Sequence, residues 1–182
     1  HDHRPLVEAA ERGPILPLYL FEPSIWRQDT LSRRQFNFLL ECLQDLETDL
    51  RQLGGQLCYR VGEAVQVFDA LYRHLGALQL WSHQETGDMA TYQRDKAVEH
   101  WCQSHQIDWQ QRPQQGVIRG LTQRKQWARH WHQQLYQPLI ERPKAVSFHL
   151  AKSDPIPSPL SLGLAPDGII TQQRGGRTAA RQ

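Results

Sequence analysis

Glu85 is the carboxylate with the most chemical promise in this 182-residue chain. It follows an apolar run at residues 77–83 (ALQLWSH) that reads as a strand. In open parallel sheets, ligands gather beyond the carboxyl ends of the strands. A carboxylate there can accept hydrogen bonds from the ring N–H groups of a ligand. The plainer alternative is a cap or a solvated loop acid near the positive end of the next helix. Tyr19 and Phe21 close another apolar run, so they either wall the same cleft or belong to the core.

Other constellations are weaker. Trp127 and Trp131 stand four apart and share a helix face, which suits electron relay or simple packing. His130 and His132 are two apart and point to different faces, unlike the i, i+4 pair of a helical metal site. Arg119, Arg124, Lys125 and Arg129 give local positive charge that suits either phosphate contact or a solvated basic face. Gly116-Val117-Ile118-Arg119-Gly120 is bracketed by glycine but lacks the spacing of a phosphate loop, and reads as a turn before a helix. No GxGxxG, GxxxxGK[ST] or GxSxG occurs. Cys42, Cys58 and Cys102 are odd in number and widely spaced, which fits reduced thiols and a cytoplasmic setting better than a disulfide or zinc framework.

The elements that must position these residues follow from periodicity. The chain is long enough for one full domain, and its net charge of +2 demands neither nucleic acid nor an anionic membrane. No apolar run approaches the ~20 residues of a membrane span. Residues 15–22, 56–61, 77–83 and 107–109 read as strands. Helices are expected between them, one opened by the Ser32/Gln35 capping pair and carrying Phe36, Leu39, Leu40, Leu43, Leu46, Leu50 and Leu53 on one face. Another runs from about residue 88 to 104 with Met89, Val98, Trp101 and Cys102 inward, and a last one spans about 123–137. Alternation of this kind predicts an α/β fold, a Rossmann-like (flavodoxin-like) parallel sheet with helices on both faces. Proline-rich residues 143–171 break every period and read as a linker. The chain opens without an initiator Met and closes on what looks like a starting helix, so an interior stretch of a larger protein is expected.

Several segments resemble one family in consistent order. Asp2-His3-Arg4-Pro5-Leu6 and Ile15-Leu16-Pro17-Leu18-Tyr19-Leu20-Phe21-Glu22-Pro23 are similar to the start of DNA photolyases and cryptochromes. Ser32-Arg33-Arg34, Phe36, Phe38-Leu39-Leu40, Leu43, Leu46, Leu50 and Gly54 resemble that family's first long helix. Trp81-Ser82-His83-Gln84-Glu85-Thr86-Gly87, with Tyr92, Arg94 and Asp95, resembles its fourth strand and the helix after it. Gly175-Gly176 with Ala179 resembles the glycine pair opening its helical flavin-binding half.

The resemblance implies a photolyase-type α/β antenna domain at residues 1–137 lacking its first strand, an interdomain linker at 138–172, and the start of a helical FAD-binding domain at 173–182. It implies FAD bound outside this stretch, and an antenna pigment, a folate or a deazaflavin, near Tyr19, Phe21 and Glu85. The parent protein would be a deoxyribodipyrimidine photolyase-like lyase, a monomer acting on damaged DNA through its helical half, and this stretch alone would be inactive. The alternatives are a cryptochrome-like blue-light photoreceptor, a free-standing nucleotide-binding module and a purely structural interaction domain. Since the family's tryptophan relay lies in the helical half, packing becomes the reading for Trp127 and Trp131. The family's sheet order also implies that the strands at 15–21 and 77–83 are parallel but share no ladder.

Overall fold

A computed structural model describes residues 3–114, 116–143, 145–166, 168 and 173–181. Asp2 of the opening motif lies outside them. In chain order the elements are α1 (Arg4–Arg12), β1 (Leu18–Phe21), α2 (Pro23–Trp26), α3 (Arg33–Gln52), β2 (Cys58–Val61), α4 (Ala64–Leu75), β3 (Leu80–His83), α5 (Met89–Ser104), β4 (Trp109–Arg112), α6 (Trp127–Leu135) and α7 (Arg177–Ala180). Strands β1 and β2 pair in parallel from Leu18–Cys58 to Phe21–Val61, and β3 and β4 pair in parallel from Leu80–Trp109 to His83–Arg112. The expected α/β alternation with parallel pairing is the observed architecture. The two strands expected to share no ladder lie in different two-stranded sheets.

The chain divides into two compact units. One combines Pro14–Ala70 with Ala145–Gln182 and is built on α3. The Ser32 hydroxyl accepts from Gln35 N while Gln35 Oε1 accepts from Ser32 N, closing the expected capping box. Phe36, Leu43 and Leu50, spaced by seven, are the fully buried stripe of this helix and pack with Phe21, Trp26 and Leu57. Leu46 was expected inward and is 45% exposed, because ten residues at 100° each carry it to the edge of that stripe.

Residues 148–164, within the proline-rich stretch, do more than connect. Leu162 and Leu164 are buried in this core, on and just after a 3₁₀ turn at Leu160–Leu162. Gly163 takes a left-handed φ of +83°, which closes that turn. The Phe148 ring lies against Gly55 where a Cβ would collide, and Ile15 bridges Phe148 in parallel. Further along, Asp154 N donates to Tyr59 O at 2.9 Å, while Tyr59 N and Val61 N donate to the side chains of Ser153 and Asp154. The segment therefore satisfies the open edge of β2 largely with side chains, where its prolines rule out a regular ladder.

The other unit combines His1–Gly13 with Leu71–Lys144. The His3 ring accepts from Leu6 N and caps α1, and Pro5 occupies the first turn, where its missing N–H costs nothing. Arg112 at the end of β4 donates to Glu8 at 2.7 Å, tying that strand to α1. Helix α5 buries Val98, Trp101 and Cys102 as expected, together with Asp95. Met89 departs from expectation at 67% exposed, since it is the first helical residue and projects beyond the packed turns. The last strand starts at Trp109 rather than at 107, because Gln106 turns the chain with a φ of +56° before pairing begins. No helix among the described residues is long and apolar enough to cross a membrane.

Candidate functional site at the strand ends

The loop that follows β3 folds around Glu85. Its Oε1 accepts from Thr86 N at 2.9 Å and Gly87 N at 2.8 Å, and its Oε2 lies 3.5 Å from Arg94 Nη2. The cap of α5 is Asp88, which accepts from Thr91 N at 2.9 Å. Glu85 is thus a loop-closing carboxylate next to the helix rather than its cap.

Arg119 anchors this loop from the far side. Its Nε donates to the Glu85 backbone carbonyl at 2.7 Å, its Nη2 to Asp95 Oδ2 at 2.5 Å and its Nη1 to Gln111 Oε1 at 3.1 Å. Asp95 is 7% exposed and also accepts from Arg94 Nε at 3.0 Å. A buried carboxylate held by two guanidinium groups meets the condition under which a buried charge is tolerated. Arg119 therefore belongs to a structural network and not to the solvated basic face expected of it. Asp95, quoted only for its place in a motif, is the centre of that network.

A polar cleft of about 290 Å³ opens beside it. Gln84 and Pro113, next after β3 and β4, line it together with Val117 and the α6 side chains His130, Gln133 and Gln134. It therefore sits where ligands collect in open parallel sheets. Its volume is at the small end of the ~300–1,000 Å³ typical of ligand sites. Side-chain amides supply both donors and acceptors, and the guanidinium in the lining, Arg119, is already paired with Asp95, a set that matches the edge of a heterocycle better than a phosphate. Of these α6 residues only His130 stands out in the sequence, as half of a histidine pair, and the glutamines do not. The signal was present, since His130, Gln133, Gln134 and Gln137 fall at i, i+3, i+4 and i+7, a polar stripe at helical period.

Tyr19 and Phe21 belong to the other compact unit. Phe21 has no exposed surface and packs against Tyr19 with ring centroids 4.9 Å apart, so the core alternative describes its placement. Trp127 and Trp131 stack on each other at 5.5 Å, and Trp127 Nε1 donates to Gly116 O at 3.0 Å. A Cβ at Gly116 would run into the Trp131 ring, so this glycine is required for the indole to lie on the turn. Packing is what this pair does. His130 lines the cleft while His132 stacks on Tyr136, so the two imidazoles diverge as expected. Burial pushes the Cys102 thiol up to about 11 and raises Cys58 as well, which disfavours the reactive thiolate at both.

Parallel strands alternating with helices define a Rossmann-like α/β domain, with a polar cleft just past two of its strand ends. The sequence profile of the DNA photolyase family matches residues 1–145, and the chain belongs to that family. It is 30% identical over 109 residues to Cryptochrome-1 of Aedes aegypti, an overlap of 56% of this chain and 20% of that protein. A cryptochrome from Synechocystis covers 99% of this chain and 42% of its own length at a TM-score of 0.75 and 16% identity. An archaeal photolyase from Sulfolobus tokodaii, which carries two FAD molecules, covers 82% and 35% at a TM-score of 0.62 and 17% identity. At these identities the structural likeness is one of fold. The chain spans about a fifth of the length of the curated relatives it matches.

Proposed function

We propose that this chain is the antenna and scaffold domain of a flavin-dependent, light-driven DNA repair protein of the pyrimidine-dimer photolyase type. The observation that carries the reading is the family match over residues 1–145 together with the amide-lined cleft beyond β3 and β4. On this reading residues 1–137 form the α/β domain, 138–172 the connection and 173–182 the entry into a helical FAD-binding half. The Sulfolobus tokodaii relative is described with a novel light-harvesting cofactor, which supports a pigment role for this kind of domain.

The residues that would hold such a pigment are Gln84, His130, Gln133 and Gln134, through hydrogen bonds to ring edges. When bound, the pigment supplies absorbed light energy to the flavin. Glu85 serves the same site from behind, because its carboxylate fixes the Thr86 and Gly87 amides and so sets the course of the loop that carries Gln84. Arg119 holds the same loop to α5. The Val117 and Ile118 side chains give the cleft its apolar wall. A folate and a deazaflavin both present a ring edge of alternating donors and acceptors that such amides can meet.

Dimer splitting needs a redox cofactor that the protein binds and orients. None of this chain's side chains can supply a photoexcited electron, so the chain alone should leave dimers intact. The test is the whole protein, purified and given a thymine-dimer oligonucleotide under blue light and in the dark. Light-dependent splitting with bound FAD is expected. Bound flavin with dimers untouched would favour the photoreceptor reading instead, and no flavin at all would overturn both.

A further inference from the structure

The geometry points to a nucleic-acid contact on this chain itself, in which the exposed side of α6 binds single-stranded DNA. It does not depend on the repair reading, because it concerns undamaged DNA and needs no flavin. Residues 109–140 contain Arg112, Arg119, Arg124, Lys125 and Arg129 and not one Asp or Glu, whereas the whole chain nets only +2. The positive charge is therefore gathered in one segment while the remainder is net acidic. Two of the five cations are consumed internally, Arg112 by Glu8 and Arg119 by Asp95. Arg124, Lys125 and Arg129 are exposed and have no carboxylate partner among the described residues.

Helical spacing then sorts this segment into two sides. His130, Gln133, Gln134 and Gln137 face the cleft. Arg129, His132 and Tyr136, three and four apart, share a different face, with Lys125 one turn earlier in the 3₁₀ turn Arg124–Gln126. His132 and Tyr136 stack with ring centroids 6.1 Å apart and planes within 10°, and Tyr136 is 81% exposed. A row of unpaired cations beside an exposed aromatic stack is the arrangement that binds single strands: cations track the phosphates and bases stack on the rings. A duplex hides its bases from such a platform, and an acidic protein partner would leave the aromatic stack unused.

The experiment uses the 182-residue chain and a fluorescently labelled dT15 oligonucleotide, read by anisotropy across a salt series. Binding is expected to weaken with salt at a log–log slope of about −2, from about −0.7 for each of three neutralised phosphates on a single strand. The variant R124Q/K125Q/R129Q should bind at least tenfold more weakly and lose most of that slope. Y136A should weaken binding severalfold while keeping the slope, since it removes stacking and no charge. The control R12Q/K96Q/R181Q removes the same charge from exposed positions elsewhere and should bind like the parent, with circular dichroism confirming that all variants fold. Equal weakening by the control would reduce the effect to overall charge and overturn the proposal. So would equal affinity for a fully paired duplex of the same length. A concentration-dependent dimer that the α6 variants abolish would overturn it in favour of a second copy of this chain.

Discussion

Arg119 Nη2 lies 2.5 Å from Asp95 Oδ2, so a guanidinium from the turn after β4 neutralises the one carboxylate that α5 buries. Through its Nε the same guanidinium holds the backbone carbonyl of Glu85 at 2.7 Å. One side chain thus fixes the loop beyond β3, the helix after it and the turn beyond β4, and the first and last of these line the cleft together with α6.

Replacing Arg119 by Met should therefore destabilise the chain by about 1–3 kcal/mol, the cost of leaving a buried acceptor short of a partner. Arg94 remains on Asp95 and keeps the loss below that of a fully broken buried pair. The exposed Arg129→Met change should stay within about 0.5 kcal/mol. Urea unfolding of both variants checks this. Equal midpoints would show that the Arg119 contacts add nothing.

The stretch at 148–164 should matter to stability as a core element. Leu162 is 2% exposed and Leu160, two residues earlier, is 69% exposed. Leu162→Ala should cost about 2–5 kcal/mol, as for other buried leucines, and Leu160→Ala about 0.5 kcal/mol or less. Thermal melts compare them directly. Similar small shifts in both would mean that this stretch behaves as the plain linker its sequence suggests.

The Gly175-Gly176 turn docks on α3 through acidic side chains. Glu41 accepts from Gly175 N at 2.5 Å, and Asp45 accepts from Thr178 N at 2.9 Å and from the Thr178 hydroxyl at 2.8 Å. The backbone N–H of Thr178, followed by its hydroxyl, holds the Asp45 carboxyl below its usual range. A lowered folded-state pKa favours the docked form above the ordinary carboxylate pKa, and that preference is lost as pH falls through the depressed value. The Thr178 amide should accordingly be protected from exchange at neutral pH and lose protection only in acid below the ordinary carboxylate range. Asp45→Asn should remove the pH dependence. Protection that ignores pH in the parent would mean that Asp45 does not hold the turn.

Much of this fold was legible in the sequence, for reasons tied to particular residues. The leucine periodicity after Ser32 and Gln35 is strong enough to define α3 and its cap, and the apolar runs ending at Phe21, Val61 and His83 mark three of the four strands. The fourth strand, Trp109–Arg112, reads WQQR and was placed too early, because pairing with β3 rather than apolar character makes it a strand. Likewise the prolines between 143 and 171 hide Leu162 and Leu164, whose burial follows from tertiary contact and leaves no period to detect. At the site, the sequence points to Glu85 through its place just after an apolar run, and the residue lies in the loop after β3. Its hydrogen bonds to Thr86 and Gly87 depend on a local fold that spacing does not encode. The polar α6 stripe was overlooked because attention to charge and aromatic rings passes over glutamine.

The most direct test of the cleft beyond β3 and β4 as an antenna site is the ratio of released pigment to released FAD, measured on the whole protein after denaturation. Val117→Trp places an indole in the cleft while Arg119, Asp95 and Glu85 keep their own side chains. Glu85→Ala frees the loop that carries Gln84. The account predicts that Val117→Trp abolishes the pigment, that Glu85→Ala reduces it several-fold, and that FAD content stays at the parental level in both. Undiminished pigment with the cleft filled would contradict it.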